Sequence, residues 1–239
     1  MLNFTANLSF LFTDLPFLER FVAAKDAGFD SVEYLFPYDY SAELIKETLD
    51  DCGLKQALFN ASAGDWGAGE RGLAALAGRE SEFKASIEQA ATYAEVLGNR
   101  RLHIMSGLAD FSDPIAFETY LNNIGWAADQ LKRSGINVLI EPINSRDMPS
   151  YFLTTPEQAS EVMQLISREN VKMQFDLYHA QIMCGDLTTR LEKYWPMIDH
   201  LQIASVPGRN EPSSGEINYP YLFNKLDQLG YQGFIGCEY

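Results

Sequence analysis

Short apolar runs alternate with longer stretches of helical period from one end of the chain to the other. The runs fall at residues 3–8, 31–36, 55–60, 101–105, 138–144, 171–178, 200–204 and 234–238. Their Val, Ile, Phe and Tyr content predicts strands. Between them the period changes. Phe83, Ile87, Ala90, Ala94 and Leu97 recur at steps of four and three, and Phe117, Leu121, Ile124, Ala128 and Leu131 repeat the stripe. That spacing puts one apolar face on each helix. Start signals agree: Asp113 precedes Pro114, and Thr155 precedes Pro156 with Gln158 placed to close a capping box. Gly28, Gly53, Gly98, Gly135 and Gly230 each stand just before the next strand, where a helix would stop.

Eight strands separated by seven helical stretches predict one α/β domain over residues 1–239, a single eight-stranded parallel β/α (TIM) barrel. The last strand ends at the chain's end, so the pattern lacks a last outer helix. An open doubly wound sheet is the rival, but it would carry a glycine-rich turn after its first strand. Here that turn reads FLFTDLP.

Composition narrows the function classes. Hydrophobic residues make up 46% of the 239, enough for a large core, and the formal net charge of −15 disfavours nucleic acid and anionic membranes as partners. No apolar stretch reaches the ~18 residues of a membrane span. The opening MLNFTANLSFLFTD lacks a basic start and reads as a first strand rather than a signal peptide. Cys52, Cys184 and Cys237 share no metal or redox spacing, which suits inert thiols in a reducing, cytoplasmic setting.

The later strands carry the candidate chemistry. VLIEPIN, KMQFDLYH, HLQIA and GFIGCEY are apolar runs, each interrupted by a polar side chain: Glu141, Asp176, Gln202 and Glu238. A barrel opens all its strand ends onto one face, so these four are expected to converge there. Buried acids need a cation, a metal or a proton. Four oxygen donors without cysteine suit Mg²⁺ or Mn²⁺ better than zinc. His179, three residues after Asp176, shares the barrel top; His200 falls one layer below Gln202 and reads as core packing, and His103 is open. Three long loops face the same opening: residues 63–80 with Arg71, residues 145–152, and residues 205–218 with Arg209. An arginine there can grip a carboxylate through a two-pronged hydrogen bond. Phosphate-loop, nucleophile-elbow and basic-aromatic patterns do not occur.

AGDWGAGERGLAALAGRE, IEPIN, FDLYHAQ, HLQIASVPGRNEPSSGEINY and GCEY together resemble the hydroxypyruvate isomerases and the related 2-oxo-tetronate isomerases. The resemblance implies a xylose-isomerase-like barrel with Glu141 and Glu238 as an acid/base pair. It implies Glu141, Asp176, Gln202 and Glu238 as the metal shell, and His179 and Arg209 as substrate contacts. The implied reaction converts hydroxypyruvate to tartronate semialdehyde through a metal-stabilised enediolate, with Arg209 the first choice for the substrate carboxylate. A 2-oxo-tetronate isomerase, a ketose 3-epimerase and a non-enzymatic sugar-acid sensor are the alternatives; a zinc nuclease would need more than the three histidines present. The chain departs from the pattern at Ser205, Ser213 and Ser214, and it stops at Tyr239 where relatives continue. From that we expect the flank between first and last strands to be covered by residues beyond Tyr239 or by a neighbouring subunit in a homo-oligomer.

Overall fold

In the computed structural model, which describes residues 2–239, eight strands close into a parallel barrel in chain order. They are β1 (Asn3–Asn7), β2 (Ser31–Tyr34), β3 (Lys55–Asn60), β4 (Arg101–His103), β5 (Asn137–Ile140), β6 (Val171–Asp176), β7 (Ile198–Ile203) and β8 (Phe234–Cys237). The ring is sealed by β1 against β8, with Asn3 to Ala6 in register with Phe234 to Cys237. All eight expected strands are present. The outer ring contains α1 (Glu19–Asp26), α2 (Ala42–Cys52), α3 (Glu80–Leu97), α4 (Pro114–Leu131), α5 (Pro156–Ile166), α6 (Leu177–Met183), α7 (Leu187–Tyr194) and α8 (Tyr219–Gln228).

Local chemistry explains the element ends. Asp113 caps α4 by accepting from the Ile115 amide, ahead of Pro114. Thr155 and Gln158 close the expected capping box on α5. The stripe Phe83, Ile87, Ala90, Ala94 and Leu97 is buried, as that spacing requires.

Two expectations are corrected. The sixth strand does not run to residue 178. It stops at Asp176, whose Oδ1 accepts from the Tyr178 amide and starts α6, so the connection to β7 holds two helices instead of one. The flank between β1 and β8 is not left open either: Ala6 and Ile235 are wholly buried, Cys237 is nearly so, and Phe223 of α8 meets Phe4 edge-on at 5.2 Å. Phe4 itself stays 36% exposed on this flank.

The lumen is polar. Barrels of this kind are usually filled by branched apolar side chains, but here Asn7, Glu33, His103, Gln174, His200 and Gln202 are all buried within it or at its mouth. Over that mouth the loops are tied together. Gly72 pairs with Ser106 and Leu108 with Tyr151 as antiparallel bridges. At Gly72, φ is +121° and a Cβ would lie 2.3 Å from the Met105 carbonyl oxygen, so only glycine allows the loop after β3 to cross there. Among the described residues no helix is long and apolar enough to cross a membrane.

Candidate active site

The strand ends bring Glu141, one residue past β5, together with Asp176 at the end of β6 and His179 in the first turns of α6. One ligand atom from each lies within 4.8 Å of the other two. All three are buried, at 5%, 2% and 3% exposure. Glu141 Oε1 and Asp176 Oδ2 have no hydrogen-bond partner. Two buried carboxylate oxygens aimed at one space without donors are what a hard cation would satisfy. The two carboxylates are thus able to share a divalent metal.

His179 belongs beside that cluster rather than in a ligand shell. Its Nδ1 faces the Asn144 side-chain Nδ2 at 2.6 Å and the Asn144 backbone amide at 3.4 Å. Two donors on Nδ1 leave the proton on Nε2, and Nε2 points to Asp176 Oδ2 at 3.5 Å and Glu141 Oε1 at 3.9 Å. A nitrogen carrying a proton has no lone pair for a metal. Burial pushes the ring pKa down to about 4, so the imidazole is neutral at pH 7.

Glu238 follows β8 directly and is 6% exposed. Arg209 Nη2 lies 3.0 Å from its Oε2 and 3.9 Å from Asp176 Oδ2. The guanidinium is held between the rings of Phe10 and Tyr178, 4.8 and 4.9 Å from their centroids. Burial opposes its charge, but Glu238, Asp176 and Glu141 outweigh that and raise its pKa. Burial lifts both glutamates above the usual carboxylate range. Glu141 is driven well up, further by Glu238 and Asp176; Glu238 reaches about 8, with Arg209 pulling against the rise.

Gln202 lies deeper on β7. Its Oε1 accepts from Gln174 Nε2 at 2.7 Å, and its Nε2 donates to Glu33 Oε1 at 2.8 Å. Glu33 and Gln174 were not among the residues singled out from sequence, where His103 is open. The signal was present: Glu33 interrupts the apolar second strand as Glu141 interrupts the fifth. His103 Nε2 stands 3.5 Å from Glu141 Oε2, and burial lowers its pKa to about 3. His200 is fully buried as expected, but against a polar group, with Nε2 2.7 Å from Glu33 Oε2.

Glu141, His179, Gln202, Arg209 and Glu238 line one cavity of about 250 Å³, whereas Asp176, Glu33 and His200 lie behind its wall. Arg71 and Trp66 form part of its wall, with the Arg71 guanidinium 3.9 Å above the indole. Arg71 donates to the carbonyls of Trp66 and Glu70, and among the described residues no carboxylate lies within ion-pair distance of it. The loop carrying it is braced by the Glu70–Arg79 ion pair.

A closed parallel barrel with acids at its mouth is shared by many enzymes, and the sequence decides among them. Residues 21–239 match the xylose isomerase-like TIM barrel family. The chain belongs to that family. Within it, the chain is 51% identical to a 2-oxo-tetronate isomerase of Cupriavidus necator and 44% identical to a hydroxypyruvate isomerase of Escherichia coli. Each alignment covers 100% of this chain and 93% of the relative. A solved structure from Brucella melitensis, described as an AP endonuclease of family 2, superposes with a TM-score of 0.98 at 51% identity over 100% of this chain and 93% of that one.

Proposed function

We propose that this family member isomerises a small sugar acid, hydroxypyruvate to tartronate semialdehyde, with Glu141 and Glu238 as the acid/base pair. The observation that carries the reading is the pair of buried carboxyls with raised pKa values on the wall of one small cavity. Moving a carbonyl to the neighbouring carbon needs a C–H proton removed and one returned one carbon away. A carboxyl poised near neutrality can do either. A cavity of about 250 Å³ lies below the ~300–1,000 Å³ typical of drug-sized ligands and suits a three- or four-carbon acid.

Glu141, Asp176, Gln202 and Glu238 would hold a divalent cation, Mg²⁺ or Mn²⁺, through oxygen donors alone. When bound there, the cation supplies Lewis-acid polarisation of the substrate's oxygens. The remaining roles belong to side chains. His179 donates from Nε2 to a substrate oxygen, its ring fixed by Asn144. Arg209 offers its guanidinium to the substrate carboxylate while one nitrogen stays on Glu238. Arg71, also in the cavity wall, is a second cation with no carboxylate at ion-pair distance among the described residues. Unpaired Cys52, Cys184 and Cys237 fit a reducing compartment such as the cytoplasm.

A 2-oxo-tetronate is the closest competing substrate, because it presents the same carboxylate and adjacent carbonyl with one more carbon. A nuclease reading is disfavoured: the net charge is −15, and the chain has three histidines, of which His103 and His179 stand near the carboxylate cluster. Turnover of hydroxypyruvate, 2-oxo-tetronates and free ketoses with Mg²⁺ or Mn²⁺ tests the proposal. Activity on sugar acids well above that on ketoses supports it. Turnover of free ketoses alone would make the protein an epimerase or ketose isomerase instead.

A further inference from the structure

Glu33 is a carboxylate with no exposed surface, set in the lumen below the carboxyl cluster, and the reaction as described gives it nothing to do. Its neighbours are specific. Oε1 accepts from Asn7 Nδ2 at 3.0 Å and from Gln202 Nε2 at 2.8 Å, and Oε2 faces His200 Nε2 at 2.7 Å. The barrel makes space for it: a Cβ on Gly236, two residues before Glu238, would lie 2.2 Å from Glu33 Oε1. Gly236 has an ordinary backbone conformation, so steric room for Glu33 is the reason a glycine stands there.

A side-chain amide has two ends of nearly the same shape, one donating and one accepting. Which end faces a metal site is decided by what the other end meets. Glu33 Oε1 already accepts from Asn7 Nδ2, an amide end fixed by the Ser9 amide donating to Asn7 Oδ1, so the end of Gln202 against that oxygen is its NH₂. Its oxygen then faces the other way, toward Gln174, and Gln202 lines the cavity that Glu141 and Glu238 share. Gln174 Nε2 takes up one lone pair of that oxygen at 2.7 Å. The second lone pair of Gln202 Oε1 is left for a cation. One acceptor on the lumen floor thereby sets the polarity of two amides and delivers oxygen, not NH₂, to the ligand site.

We propose that Glu33 is a positioning residue, which holds the Gln202 amide with its oxygen toward the cation site. This rests on the reading of Gln202 as a member of the cation shell. Partners that orient metal ligands from behind typically change metal affinity by ~10–100-fold when removed. Packing alone would give a different pattern, because glutamine fills the same volume as glutamate.

The test is a double-mutant cycle read by Mn²⁺ binding in equilibrium dialysis, without substrate. Glu33→Gln offers Gln202 a donor and lets its amide turn over, so the Mn²⁺ dissociation constant should rise by at least ~10-fold. Gln202→Glu alone faces two carboxylates at hydrogen-bond distance and should also weaken binding. The exchange Glu33→Gln with Gln202→Glu restores one donor and one acceptor at the same net charge, and should bind Mn²⁺ as well as the native chain or better. Two losses that recover together are a coupling that a structural role does not give. Unchanged binding in Glu33→Gln, or losses that simply add in the exchange, would overturn the proposal. Gln202→Leu separates the underlying reading: unchanged Mn²⁺ binding there removes Gln202 from the shell, and the proposal with it. If Glu33→Gln alone does not fold, the exchange decides by folding: its recovery supports the polarity argument, and its failure contradicts it.

Discussion

Each acid at the barrel mouth is held where burial penalises its charge, and the partners differ enough to divide the work. Glu238 has Arg209 at 3.0 Å, whereas Glu141 has the neutral imidazoles of His103 and His179 at 3.5 and 3.9 Å. Glu141→Gln and Glu238→Gln should each lower turnover by at least ~10²-fold while circular dichroism stays native. Metal content has to be measured in parallel, because both are also proposed ligands. Near-normal turnover in either variant would mean that the proton passes through another group. Arg209 carries a separate prediction. Its guanidinium is committed to Glu238 on one side and open to the cavity on the other, so Arg209→Ala should raise KM about tenfold or more for hydroxypyruvate, the worth of a charge-assisted hydrogen bond. An uncharged ketose should lose far less in KM. Equal losses would show that Arg209 acts only by holding Glu238 and its own loop. At this scale the sequence exposed Glu141, Asp176, Gln202 and Glu238, because a polar residue inside an apolar run stands out. It could not show that Arg209 reaches Glu238, since that contact joins a loop to a strand end through loop geometry that no local period encodes. Glu33 was legible by the same rule and lay in the half of the barrel where no matching acids drew attention.

Among the elements, the strands were readable because β-rich runs recur throughout and a glycine stop precedes five of the seven later strands. The α6 helix was not. Leu177 to Ala180 are all buried and continue the apolar run of β6 without a break, and in so short a stretch the period cannot separate strand from helix. The local clue was Asp176, a good N-cap residue, which turns out to start the helix with one oxygen and leave the other for the site. Element ends set by recognised caps give cleaner expectations. Thr155 closes a capping box with Gln158, and its hydroxyl accepts from the Gln158 amide at 3.3 Å. Thr155→Ala should cost about 1 kcal/mol of stability in denaturant unfolding. The α5 helix holds none of the proposed site residues, so kcat and KM should hold at native values. A change in either would show that α5 supports the site more directly than its position indicates.

At the scale of the whole molecule, four consecutive strand ends bring three carboxyls and the Gln202 amide to the barrel mouth, and two arginine-bearing loops help to enclose a cavity of about 250 Å³ there, in a chain of net charge −15. The negative surface does not favour an anionic substrate; the local cations Arg209 and Arg71 have to. The polar lumen beneath adds a second layer that fixes donor and acceptor ends, which costs core hydrophobicity and gives orientation in return. The central claim joins these parts: a cation-dependent transfer of a proton between neighbouring carbons of a small sugar acid. Proton NMR of hydroxypyruvate tests it most directly, with chelator-stripped protein, the same protein resupplied with Mg²⁺ or Mn²⁺, and resupplied Glu141→Gln run side by side. The account predicts the aldehyde proton of tartronate semialdehyde only in the resupplied native sample. Equal conversion in the stripped protein, or no conversion with either cation, would contradict it.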